Sequence, residues 1–189
     1  MRTPATTWQT VGPYFRIGLE HLYANDIAGE GARGERIRVE GRVLDGDMLP
    51  IPDAVVEIWQ ANAFGKYAHP GDRQDLPLEQ GFQGFGRIPT DDDGFFRFTT
   101  IKPGPVLDLP GEPQAPHLAV TLMMRGLLRG LVTRAYFEGD PRNASDRVLM
   151  HVDPARWGTL MLSPSAHEPS LLQWTIHMQG ALETVFFDF

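Results

Sequence analysis

The chain of 189 residues has no cysteine. That absence excludes disulfides, thiolate zinc sites, iron–sulfur clusters and a cysteine nucleophile together. Long apolar runs are missing as well. No stretch approaches the roughly 18 consecutive apolar residues of a membrane span, and residues 1–8 hold no apolar segment of signal-peptide length. A soluble, cytoplasmic protein without a membrane partner is expected. The net charge is −7, and Lys and Arg are nowhere concentrated, so the basic footprint that nucleic acid requires is absent. An anionic small molecule would need a local arginine to overcome the unfavourable overall field.

What is present is punctuation. Gly 20 and Pro 16 are scattered rather than blocked, as in a chain of many short elements joined by turns. With 42% hydrophobic residues, a substantial core can form without staples. Ile37, Val39 and Val43 alternate with Arg38, Glu40 and Arg42, which is the period of a strand with one wet face. Asp45-Gly46-Asp47 then turns the chain. Residues 54–59 are mostly apolar and β-branched, as in a strand covered on both faces. Further strands are expected over 95–100, after the turn Asp91-Asp92-Asp93-Gly94, and over 117–124, 131–137, 172–178 and 184–189. The Asp-Gly pair before residue 95 reads as hairpin chemistry rather than a cation loop. The fold class expected is all-β: a two-sheet β-sandwich of about eight strands with long loops and little helix. The best helical segment is near Asp153-Pro154, where Asp caps and Pro opens a first turn. Residues 65–89 show no clean period, and long irregular insertions are more often functional than idle. A single domain over 1–189 is expected, with 1–35 as an N-terminal arm.

Three stretches carry a resemblance. They are Glu57-Ile58-Trp59-Gln60-Ala61-Asn62-Ala63-Phe64-Gly65-Lys66-Tyr67, then Phe85-Gly86-Arg87 onward to Lys102-Pro103-Gly104-Pro105, and Thr133-Arg134-Ala135-Tyr136-Phe137-Glu138-Gly139-Asp140-Pro141. In this order and spacing the chain resembles the intradiol ring-cleaving dioxygenases. The resemblance implies a mononuclear Fe(III) held by two tyrosines and two histidines. Phenolate is a hard donor suited to ferric iron, and His-x-His on a strand places both imidazoles on one face.

Here the implied ligand set is broken. Tyr67 stands at the first tyrosine position, but Val106 stands at the second. His117 keeps the first histidine position, and Ala119 takes the other. Isopropyl and methyl groups cannot ligate iron, so no metal is expected on this chain, and the four positions read as vestigial. Tyr67 and His117 are then remnants satisfied by local hydrogen bonds. His69 and His151 lack partner spacing for a metal, and His177 reads as structural.

The departure is itself similar to the alpha chains of the family's two-chain members, as are residues 9–19, Ala115-Pro116-His117 and residues 183–189. The resemblance then implies a paralogous beta subunit carrying Fe(III), with 3,4-dihydroxybenzoate and O2 meeting at a shared site, and a higher oligomer of alpha–beta units. The arm 1–35 would contact that partner. Thr10, Gly12, Pro13, Tyr14 and Arg125 would line its pocket, Arg125 facing the substrate carboxylate. The plainer account makes the first four an ordinary extension and Arg125 a solvated strand-end arginine. A β-sandwich binding module that has lost catalysis is the alternative function. An enzyme that recruits His69 beside Tyr67 and His117 is disfavoured, because no tyrosine replaces the second phenolate.

Overall fold

The computed structural model describes residues 7, 10–107 and 113–188. Residues 1–6 and 8–9 of the expected arm, and Phe189, lie outside them. The strands are β1 (Arg36–Leu44), β2 (Val55–Trp59), β3 (Phe85–Pro89), β4 (Phe95–Ile101), β5 (Val106–Leu107), β6 (Pro113–Gln114), β7 (His117–Met123), β8 (Leu131–Phe137), β9 (Met161–Pro164) and β10 (Leu171–His177). The helical segments among the described residues are short 3-10 turns. None is long and apolar enough to cross a membrane.

The mostly β expectation holds, but the layers are joined. Eight strands form one hydrogen-bonded sheet in the order β3-β2-β7-β8-β9-β10-β1-β4, with β5-β6 as a separate ribbon. The short β9 is the link: it runs parallel to β8 and antiparallel to β10. At the open edges, Ala24 bridges to Arg87 on β3 and Asp26 bridges to Thr99 on β4. The chain around 24–27 therefore nearly closes the sheet into a barrel.

Alternation fills the interior. Ile37, Val39 and Val43 of β1 pack with Ile58, Leu118, Val120, Phe96, Phe98, Trp174 and Ile176 in one buried cluster, each such side chain contributing about 1.5–3 kcal/mol. Gly41 lies opposite Phe96 on β4. A Cβ at Gly41 would sit 2.0 Å from that ring, so only glycine admits the phenylalanine there. A smaller cluster, Ala115, Tyr136, Leu149, Val152 and Leu160, covers part of the opposite face of β7-β8.

Several expectations change. The 65–89 stretch is irregular only until β3 begins at Phe85, and β9 had no clear period because four residues show too little of one. Where a strand over 184–189 was expected, the described residues 184–188 yield a single bridge, Val132 to Phe187. Asp91–Gly94 does turn the chain, its carboxylate accepting from Asp93 N–H (3.1 Å) and Phe95 N–H (2.8 Å). It is not a hairpin, however, because β3 and β4 lie at opposite edges of the sheet order. Asp153 caps as expected, accepting from Ala155 N–H at 2.9 Å, and the helix it opens is 3-10 over Pro154–Leu160.

Candidate functional site

The outer face of β2-β7-β8 carries two of the four expected ligand positions, His117 and Ala119. Leu118, Val120 and Leu122 enter the core, so His117, Ala119 and Thr121 point the other way. The register sets Trp59 opposite Ala119, Ala119 opposite Arg134, and His117 opposite Tyr136.

The irregular segment after β2 lies beside this face, and buried amides hold its shape. Asn62 Oδ1 accepts from Phe64 N–H (3.0 Å) and Lys66 N–H (2.9 Å), while its Nδ2 donates to Pro77 O (2.8 Å) and Glu79 (2.7 Å). Gln60 donates to Ile101 O at 3.1 Å and accepts from the Thr100 hydroxyl at 2.7 Å. Gly65, at φ 83°, lets the segment approach Pro105 so closely that a Cβ would fall 2.1 Å from its carbonyl oxygen. That approach brings Tyr67 beside Val106.

The result is a cavity of about 640 Å³ whose lining includes Trp59, Tyr67, His69, Arg73, Gln74 and Val106. Tyr67 stacks on Trp59 with centroids 6.0 Å apart and planes within 7°. His69 meets Trp59 edge-on at 6.3 Å. A second hollow of about 500 Å³ shares Trp59 and His69 and reaches Ala119. The structure thus brings Tyr67, Val106 and His69 into one cavity and places Ala119 next door.

His117 is buried at the side, its Nδ1 2.8 Å from Ala115 O. Since a carbonyl only accepts, the proton sits on Nδ1. Burial, reinforced by the nearby Arg134 charge, lowers its pKa from 6.5 to about 4. Burial also raises the Tyr67 phenol; Arg134 opposes that shift and Asp72 adds to it. The Tyr136 phenol is likewise raised, first by burial. Its hydroxyl donates to Asp146 at 3.0 Å. Asp72 is held below the usual carboxylate range. Burial works against that, but the N–H groups of Tyr67 (2.8 Å) and Gln74 (2.9 Å) and the Lys66 ammonium outweigh it.

Arg134 is the residue that sequence reasoning passed over. Its guanidinium donates to Gln114 Oε1 at 2.9 Å and lies 3.5 Å from the Tyr136 hydroxyl, and its charge is felt at Tyr67, His117 and Tyr136. Only the β7-β8 register reveals it. The residues at this place do not fit a ferric ion: two positions offer no donor atom, and a fixed cation stands among the remaining phenol and imidazole.

The other expected residues lie elsewhere. Gly12 adopts φ 66°, ψ −175°, a region essentially confined to glycine. It precedes the 3-10 turn Pro13–Phe15, with Phe15 buried and Tyr14 76% exposed. Buried Arg87, paired with Glu57, donates to Phe15 O and pins this turn to the sheet. Arg16 donates to Pro52 O, and Arg125 pairs with the neighbouring Asp53 while its side chain stays 69% exposed. The turn and Arg125 therefore meet around residues 52–53, and neither lines the Tyr67 cavity. Thr10 is exposed.

A family described as Dioxygenase matches residues 12–180. The protocatechuate 3,4-dioxygenase alpha chain of Burkholderia cepacia is 39% identical over 197 residues, covering 97% of this chain and 96% of that one. The Pseudomonas putida alpha chain is 37% identical, covering 98% and 97%. The Burkholderia cepacia beta chain is 43% identical over 133 residues, covering 69% and 57%. Among solved structures, 3-chlorocatechol 1,2-dioxygenase from Rhodococcus opacus 1CP aligns with a TM-score of 0.63 at 25% identity, over 82% of this chain and 64% of that one. From its sequence, its fold and these relatives, the chain belongs to the intradiol ring-cleaving dioxygenase family, and it is similar along nearly its full length to protocatechuate 3,4-dioxygenase alpha chains.

Proposed function

We propose that this chain is the non-iron-binding alpha subunit of a protocatechuate 3,4-dioxygenase. Its beta partner would carry the Fe(III) and open 3,4-dihydroxybenzoate with O2 to 3-carboxy-cis,cis-muconate. One observation carries the reading: Val106 and Ala119 offer no donor where ligands are expected, and Arg134 sets a positive charge among the remnants. The similarity to two alpha chains over almost their whole length supports it, whereas the beta-chain match spans little more than half of that chain.

In this reading the alpha chain builds wall. The turn at Gly12, Pro13 and Tyr14 presents open backbone and an exposed ring, so residues 1–35 of a single domain would meet the partner. Arg125, beside that turn, would face the carboxylate of the substrate. A well-buried charge-assisted hydrogen bond of this kind contributes about 1.5–3 kcal/mol. The aromatic C-terminus extends the same interface, and several alpha–beta units assemble in the cytoplasm.

Co-expression with a beta chain of the same family tests the proposal. The two chains should purify together and consume O2 with 3,4-dihydroxybenzoate. Turnover by this chain purified alone would overturn it.

A further inference from the structure

We infer that Asp53 is a positioning residue, which aims the Arg125 guanidinium at the carboxylate of the substrate. The inference rests on the proposal that Arg125 faces that carboxylate, and adds the residue through which it does so.

Strand register sets the two residues face to face. Val55 pairs with Met123 in the antiparallel β2-β7 ladder, so two residues further out the same register places Asp53 opposite Arg125. Directly opposed residues on one face are close enough for their side chains to interact. Arg125 Nε donates to the Asp53 carboxylate just beyond the end of the ladder. That bond leaves both terminal nitrogens of the guanidinium to a second acceptor, the geometry that suits a carboxylate.

Of the pair, Asp53 is the fixed member. The neighbouring Ala54 is fully buried, its N–H donating to the Thr90 hydroxyl at 3.0 Å and its carbonyl accepting from Thr90 N–H at 3.0 Å. On the other side, Pro52 O takes the guanidinium of Arg16, directly after the Pro13–Phe15 turn. Pro52 and Asp53 are thus a common mount for the turn and for Arg125. Arg125 itself stands on the tip between β7 and β8, its side chain 69% exposed against 20% for Asp53. A Cβ on the following Gly126, at φ 88°, would meet nothing within 4 Å. A long side chain in such a place gives up rotamer freedom when it binds. Pairing with a fixed carboxylate removes that freedom before the ligand arrives. An exposed ion pair adds little to stability, so removing Asp53 changes where the guanidinium points and leaves the fold in place.

Two measurements test this. In the chain alone, NMR relaxation of the Arg125 Nε–H group should show it held, and Asp53→Ala should release it. Asp53→Asn, which keeps an acceptor oxygen at the same reach, should retain most of the order. Equal mobility in the native chain and Asp53→Ala would overturn the inference, whether or not a beta chain assembles. In a reconstituted alpha–beta complex, Asp53→Ala should raise the Michaelis constant for 3,4-dihydroxybenzoate about fivefold at unchanged kcat. Asp53→Asn should restore most of the loss. The inhibition constant of catechol, the same diol without the carboxylate, should not move. An unchanged or lower Michaelis constant in Asp53→Ala, or an equal loss for catechol, would overturn the inference. If Arg125→Ala raises the constant and Asp53→Ala does not, the inference alone falls. If Arg125→Ala also has no effect, the proposed role of Arg125 falls first and takes the inference with it.

Discussion

Arg134 stands directly across from Ala119 in the β7-β8 ladder, on the face away from the main core. Directly opposed residues hold their Cβ atoms about 4.5–5.5 Å apart, so the methyl group of Ala119 leaves room for a long cationic neighbour. The methyl group of Ala119 and the cation of Arg134 are thus neighbours on adjacent strands. Arg134→Gln should therefore move the His117 pKa up from about 4, though not to 6.5, because burial contributes more than the charge. Titration of the ring by NMR reads this directly, and an unmoved pKa would separate the two residues.

The same depression has a stability consequence. The unfolded chain binds a proton that folded His117 refuses. Stability is thus intact above about pH 6.5, falls as the pH drops, and levels off below about pH 4, for a total of about 3 kcal/mol. Urea midpoints measured across that window should show the slope, and His117→Phe should flatten it. A wild-type slope retained in the variant would assign it to another group.

Asp146 is the polar centre of the smaller core. Fully buried, it accepts from Tyr136 OH (3.0 Å), Ala115 N–H (2.9 Å), Val148 N–H (3.0 Å) and Leu149 N–H (2.9 Å). Asp146→Ala strands four donors and should cost about 3 kcal/mol or more. Asp153→Ala, which removes only an exposed cap, should cost about 1 kcal/mol. Thermal unfolding of the pair reads the contrast; equal losses would deny Asp146 its central place.

Arg125→Ala should raise the Michaelis constant for 3,4-dihydroxybenzoate in a reconstituted alpha–beta complex and leave its iron content unchanged. Its exposed pair with Asp53 contributes no more than about 1 kcal/mol to stability, so a kinetic effect would not report unfolding. An unchanged constant would return Arg125 to the role of a solvated strand-end arginine.

The parts legible in the sequence were those with a local signal. β1 and β8 announce their bounds through alternation and β-branching, and the Asp153 cap through its following proline. Membership of the dioxygenase family was legible by resemblance, in motifs spread along the chain. What escaped depends on contacts distant in sequence. β9 is too short to show a period, and the closure at Ala24 and Asp26 is made by bridges to distant strands. Arg134 was visible as a letter in a motif, but its proximity to Tyr67 and His117 follows from strand register, which one sequence does not display.

Iron analysis of the purified chain alone, read beside its visible spectrum, tests most directly whether this chain has given up its metal. The predicted result is no bound iron and no phenolate-to-iron band, with colour and ring cleavage appearing only once a beta chain is present. Stoichiometric iron with a coloured band on this chain alone would contradict it, and would mean that Tyr67 and His117 belong to a complete site.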